Sequence, residues 1–234
     1  MKKLLISLFA GSALFVTGTI KAVAADLGFG VTAAIVALEA DGTETETGSQ
    51  TAETTNASVK NTIPVGEIFA EVRDIGLGMG TLSLGISVIP AAHDVSDNVK
   101  IRNDTETSVT GTATTVATAR AQKAQAEVAD HMMYYLEFKP RDSLFFKLGY
   151  LDADLNTTES LATGSSYGNA SLNGILYGVG FQKDLNRGFA KFEVTFSDYD
   201  TINLTDSTGR TGVSTNNKIS ANLDATQIRL SYGF

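Results

Sequence analysis

Apolar and polar residues alternate with a period of two along most of this chain. The last segment is the clearest case: Ile228, Leu230, Tyr232 and Phe234 are apolar or aromatic, whereas Gln227, Arg229, Ser231 and Gly233 are polar or small. A two-residue period marks a strand with two unlike faces. Eight such runs can be read: Leu27–Leu38, Ile63–Arg73, Gly80–Ile89, Val128–Lys139, Leu144–Leu155, Leu172–Lys183, Phe189–Ile202 and Ile219–Phe234. In the fourth, Met132, Tyr134, Leu136 and Phe138 oppose His131, Met133, Tyr135, Glu137 and Lys139. In the seventh, Ala190, Phe192, Val194 and Phe196 oppose Lys191, Glu193, Thr195 and Ser197.

The connections alternate in length. Ile75–Gly78, Pro140–Ser143 and Asp184–Gly188 are short and rich in turn formers. Asp41–Thr62, Pro90–Glu127, Asn156–Ala170 and Asn203–Lys218 are long and polar. Short turns at one end and long loops at the other describe an up-and-down barrel with its turns and both termini on one side of a membrane. Within the second long connection, the Thr-rich Val109–Thr118 is expected to extend as a protruding hairpin, and Ala117–Glu127 could equally form a helical turn or two.

Charge separates the faces. The face carrying Leu, Ile, Val and Phe has no charged residue in its central band. The opposite face carries Glu67, Glu71, Arg73, Glu137, Lys139, Lys147, Lys191, Glu193 and Arg229. A charge facing lipid costs ~2–4 kcal/mol at mid-membrane. A soluble eight-stranded barrel of lipocalin type would bury the other face and show the same alternation. The loop rhythm and the N-terminal segment favour the membrane. The expected fold is therefore all-β: an eight-stranded antiparallel up-and-down transmembrane β-barrel with short periplasmic turns and long outer loops.

Composition sharpens this. Of 234 residues none is Cys or Trp, and only three are Pro. There is no disulfide framework and no thiolate metal site. Residues 1–24 read as a secretory leader: Lys2 and Lys3, an apolar core from Leu4 to Val16, and the small-x-small sequence Ala22-Val23-Ala24. Residues 25–234 are expected to form the barrel domain. Removing Lys2, Lys3 and Lys21 with the leader takes 18 basic residues to 15 against 26 acidic ones, a net charge of −11. That balance argues against nucleic acid.

Three stretches carry a resemblance. They are Leu230-Ser231-Tyr232-Gly233-Phe234, Tyr177-Gly178-Val179-Gly180-Phe181-Gln182-Lys183-Asp184-Leu185, and Lys191-Phe192-Glu193 continuing to Asp198-Tyr199-Asp200. Together they make the chain similar to the small eight-stranded outer-membrane barrels, the superfamily of the OmpA transmembrane domain, OmpX and the opacity-type proteins. Lys191 stands where the family usually has Arg, and Glu193 matches its Glu. The resemblance implies a terminal aromatic, Phe234 with Tyr232, read by the barrel-insertion machinery. It also implies a polar, filled lumen; the peptidoglycan-binding domain that follows some relatives is not expected after Phe234. It implies no single activity.

The chemistry follows from the faces. Five basic and four acidic lumen groups should pair, since unpaired buried charge is costly. The default is a static salt-bridge network; a gate in which Lys191, Glu193 and Arg229 rearrange is the alternative. His93 and His131 with Ser87, Ser171 or Ser197 suggest a lipid-modifying hydrolase, but no spacing links them. Asp152 with Asp154, and Asp198 with Asp200, are acids at outer strand ends and more simply solvated than cation ligands. Gly76, Gly78 and Gly80 precede no helix, so a phosphate loop fails. No cofactor, metal site or catalytic site is expected. Phe29, Phe138, Phe181, Tyr232 and Phe234 should mark the periplasmic interface, and Tyr134, Tyr150, Tyr177 and Phe196 the outer half. The reading is a monomer in the cell outer membrane with a structural or adhesin- and receptor-like role. Its expected partners are membrane lipid, lipopolysaccharide and an extracellular surface partner met through the loops. A narrow channel for small solutes is the second reading.

Overall fold

The computed structural model describes residues 25–46, 53–104, 107–110, 113–116, 120–141, 143–159, 166–206 and 217–234. The leader expected over residues 1–24 lies outside them. The wall consists of eight antiparallel strands: β1 (Asp26–Glu46), β2 (Glu53–Gly76), β3 (Thr81–Ile89), β4 (Ala126–Lys139), β5 (Leu144–Thr157), β6 (Ala170–Leu185), β7 (Gly188–Tyr199) and β8 (Lys218–Gly233). Each pairs with the next, and β1 pairs with β8 to close the ring. At the junction Phe29 and Phe234 exchange backbone hydrogen bonds of 3.0 and 2.9 Å. Closure pairs the backbone around the ring except along the upper β2–β3 edge, in keeping with the rule that only helices and closed barrels span bilayers.

The alternation sets the two faces. Leu27, Phe29, Val31 and Ile35 of β1, Ile228, Leu230 and Tyr232 of β8 and the following Phe234 project outward and are 45–71 % exposed. From Leu27 to Ala37 is ten residue steps, about 33 Å along a strand at ~3.3 Å each. Tilted by ~40°, as barrel strands are, that run rises about 25 Å, the height of a lipid-facing apolar band. Glu39 and Asp41 on β1 and Asp224 on β8 follow at its outer edge. The expected aromatics lie on this surface, with Tyr177 and Phe196 stacked at 5.6 Å.

The outer connections depart from the expected long loops. β1 and β2 continue as a two-stranded ribbon, paired from Glu46↔Glu53 inward, so Asp41–Thr62 is mostly strand. Thr and Val favour the extended backbone there, and Lys60–Glu39 at 2.7 Å and Thr43–Asn56 at 2.8 Å tie the ribbon together. In the second connection Lys100–Asp104 pairs with Arg120–Ala124, and Thr107–Thr110 with Ala113–Val116. The region is therefore an extended hairpin, and the helical option for Ala117–Glu127 is not taken: Arg120–Ala124 is strand and β4 starts at Ala126. The seventh run also ends early. β7 stops at Tyr199, and Ile202–Thr205 forms a separate short strand on β8.

Candidate functional site

The lumen divides into two halves of different chemistry. The periplasmic half holds the charged residues. Lys191 Nζ lies 2.7 Å from Glu71 and 2.6 Å from Glu137. Lys147 Nζ lies 3.1 Å from Glu137 and 2.8 Å from Glu193. Arg229 grips Glu67 through both terminal nitrogens at 2.7 Å, and its Nε is 3.5 Å from Glu193. The result is one alternating chain, Glu67–Arg229–Glu193–Lys147–Glu137–Lys191–Glu71, whose members come from β2, β8, β7, β5 and β4. Arg73 and Lys139 sit below it, near the turns. Arg73 reaches Asp74 and Asp184 at 3.2 Å each, and Lys139 reaches Asp74 at 2.7 Å. All nine sequence-derived lumen residues thus project inward: seven form the chain, Arg73 touches its end at Glu71 (3.8 Å), and Arg73 and Lys139 both bind Asp74.

Aromatic rings fill the space the ions leave. Tyr135 donates to Glu71 at 2.8 Å, and the Lys147 ammonium stands 4.1 Å over its ring. The Arg73 guanidinium lies 3.7 Å over Phe189. Glycines on facing strands make room: a Cβ at Gly85 would overlap Tyr135, and one at Gly180 would overlap Phe145. The gap left around Lys147, Lys191, Glu193 and Arg229 is too small for a water molecule. This half is a plug.

The outer half is apolar, which corrects the expectation of a polar filling throughout. Val36, Leu38, Val65, Met133, Leu151, Leu172, Leu176, Leu223 and Ala225 are buried there in one cluster. A recess lies among Val36, Leu38, Ile63, Val65, Leu223 and Ala225; the centre of a water molecule can occupy about 40 Å³ of it, and the remaining space belongs to its open mouth. Its polar lining is His93, His131, Tyr199 and Gln227. Gln227 accepts from Arg229 at 3.1 Å and so joins the recess to the plug.

The wall beside this recess is incomplete. The β2–β3 ladder ends at Ile68↔Val88. From Glu53 to Glu67, β2 pairs with β1 alone. Proline explains part of this: it cannot donate to a ladder and is confined to edges. Pro64 sits in the unpaired part of β2, and Pro90 follows the end of β3. Beyond the seam, His93–Asp94 pairs with β4, and Asn61 Nδ2 donates to the Asp94 carbonyl at 3.4 Å. Ile63, Val65, Ile89 and Ala91 line both the seam and the recess.

The remaining candidates are not assembled into catalysis. His131 bonds Tyr199 (Nε2 to Oη, 2.9 Å), and Ser87 donates to Glu67 at 2.6 Å. Ser197 Oγ is buried without a hydrogen-bond partner among the described residues, and Ser171 is exposed. Neither histidine is hydrogen-bonded to a serine among the described residues. Asp198 and Asp200 face outward at the rim, and no group of three acids or histidines among the described residues could hold a metal ion. Tyr199 was named only within the Asp198-Tyr199-Asp200 stretch, with no role in the lumen, and the apolar outer lumen was not singled out from the sequence. The signal for the latter was present: in Ile35-Val36-Ala37-Leu38 both phases of the alternation are apolar.

Among solved structures, the chain is similar to the outer membrane protein OprG from Pseudomonas aeruginosa, with a TM-score of 0.52 at 12% identity over 90% of this chain and 97% of that one. It also matches Ail, the attachment invasion locus protein of Yersinia pestis, with a TM-score of 0.31 at 8% identity over 88% of this chain and 99% of that one. The second similarity is too distant to add to the first. No protein-family model matches the chain, and comparison with curated proteins gives no match. The closed ring, the outward apolar belt and the likeness to OprG give the chain the fold of the small eight-stranded transmembrane β-barrels of the outer membrane.

Proposed function

We propose that this is a non-catalytic outer-membrane barrel that admits small apolar molecules from outside and releases them sideways into the membrane. One observation carries the reading: the apolar recess stands on a charged plug and abuts the unpaired seam between β2 and β3. An apolar solute gains nothing by crossing a lattice of buried ion pairs. It would leave through a wall segment that has no ladder to break. Eight strands enclose an interior wide enough for one small ligand.

The test compares n-octane uptake by cells that make the wild-type chain, the Ala225→Trp variant or neither. Ala225 lines the recess, and the indole would fill it. Uptake is expected to rise with wild type and fall back with the variant. Equal uptake by the two proteins would remove the inlet reading.

The ribbon of β1 and β2 and the hairpin between β3 and β4 support a second role, contact with an extracellular surface partner. Cell-adhesion measurements with residues 99–124 replaced by a short linker test it, and unaltered adhesion counts against it. For assembly, Phe234 with Tyr232 is proposed as the signal met by the insertion machinery. Phe234→Ser is expected to lower the amount of barrel inserted in cells while leaving refolding in vitro intact. The partners proposed around the belt are lipid and lipopolysaccharide, and the working unit is a monomer.

A further inference from the structure

The recess has two kinds of polar group, and they differ in whether they need anything. His131 and Tyr199 satisfy each other at its floor through the 2.9 Å Nε2–Oη bond. His93 does not: its Nε2 is buried and has no hydrogen-bond partner among the described residues. His93 lines the same recess from the short strand His93–Asp94, where it stands opposite Val128. Val128 precedes His131 on β4 across a bulge, where two steps of β5 face three of β4 and Asp130 takes a left-handed backbone (φ 50°), so both residues face the recess and the two histidines stand about two strand steps, roughly 7 Å, apart along the wall. A buried nitrogen left unpaired is costly, and a site built around one favours a molecule that supplies the missing bond.

We propose that His93 is a specificity residue and that the recess prefers slim apolar molecules carrying one terminal hydroxyl. The hydroxyl bonds His93 Nε2 near the mouth, and the tail lies along Val36, Leu38, Val65 and Leu223 down to the His131–Tyr199 floor. A hydroxyl both donates and accepts, so it serves either tautomer of the ring. A carbonyl serves only one. This preference rests on the reading of the recess as an inlet for apolar molecules.

The experiment uses the full chain refolded in lipid nanodiscs. The methyl resonance of Met133, which belongs to the same apolar cluster, is followed during titration with 1-octanol or n-octane, each referred to its mole fraction in the disc lipid so that transfer out of water cancels. Wild type is expected to saturate with octanol at a mole fraction on the order of 10-fold below that for octane, the effect of filling one unpaired buried site. His93→Phe should erase that difference, and Tyr199→Phe should keep it, because His93 is untouched and the His131 Nε2 that it frees can only add to the preference. Equal saturation in wild type overturns the specificity proposal and leaves the inlet reading standing. No shift with either probe defeats both. A preference that survives His93→Phe overturns the assignment to His93. Should Tyr199→Phe not fold, the His93→Phe comparison decides alone, since His93 is half-buried at the rim of the wall.

Discussion

Lys191 shows what a single side chain does in this lumen. Its ammonium sits between Glu71 and Glu137, and both carboxylates are almost fully buried. Lys191→Met keeps the aliphatic stem but leaves Glu137 with Lys147 alone and Glu71 with only Tyr135 and the more distant Arg73, among Phe69, Phe145 and Phe189, whose rings surround the ammonium. Removing one partner of a buried pair costs about 3–5 kcal/mol. A loss of that order is expected in urea unfolding of the refolded barrel, and adding Glu137→Gln should recover part of it. Glycine gives a sharper contrast. Gly85→Ala would push a methyl group into the Tyr135 ring and disturb its bond to Glu71, whereas Gly66→Ala meets open space on the lipid face. The first is expected to cost about 1–3 kcal/mol, as overpacking does. The second should be neutral in the same assay, and comparable losses for both would contradict the aromatic–glycine packing described above.

At the scale of elements, the wall and its appendages separate cleanly. Lys100–Asp104, Thr107–Thr110, Ala113–Val116 and Arg120–Ala124 pair only with one another. Replacing residues 99–124 by a short linker is therefore expected to leave urea stability of the barrel within about 0.5 kcal/mol, the usual range for changes away from packed features. The turn below β2 behaves differently. Asp74 adopts a left-handed backbone (φ 58°) and joins Lys139, Arg73 and Thr81. Burial opposes its ionisation, but Lys139 and Arg73 outweigh burial and hold the carboxyl below its ordinary range. A lowered folded-state value means the contribution is complete above the unfolded value of 3.8 and fades as pH falls through the folded one. Asp74→Asn should then destabilise by under about 1 kcal/mol at neutral pH, given the partial exposure, and match wild type at strongly acid pH. Thermal melts across that range check it.

The same elements mark what the sequence allowed to be read. Strand positions and facing were legible because a period of two needs only local residue order, and Glu193 or Phe192 declares its side by chemistry alone. The ribbon was hidden because Thr43, Thr45, Thr54 and Thr55 are polar on both faces beyond the membrane, where neither lipid nor core imposes alternation. The pairing order within the plug was also hidden: Lys191 meets Glu71 across the barrel from more than a hundred residues away, and only closure sets that distance. The apolar outer lumen was missed because an apolar inward residue, such as Leu38 or Leu223, looks like noise in a pattern judged by its charged members.

For the whole molecule, the question is whether a ring closed in the membrane is also a path through it. The answer follows from stacking the halves in series. The apolar recess disfavours ions, since an ion leaving water for an apolar site loses its solvation. The plug below it offers charges already matched within 2.6–3.1 Å along Lys147 and Lys191, and a gap too small for water. Such pairs are shielded from salt because they are buried, so raising ionic strength should not loosen them as it would loosen surface pairs. The refolded chain is accordingly expected to show no steady conductance in planar bilayers from about 0.1 to 1 M salt. Replacing Glu137, Lys147, Lys191 and Glu193 together by Ala removes two cations and two anions, so net charge is unchanged while the plug loses four long side chains. That variant should conduct if it remains folded, and its folding is checked by urea unfolding in the same lipid. Steady current through the wild-type barrel would mean that the ion pairs exchange partners on the timescale of permeation. The two halves would then form one channel, and the sideways exit between β2 and β3 would lose its reason.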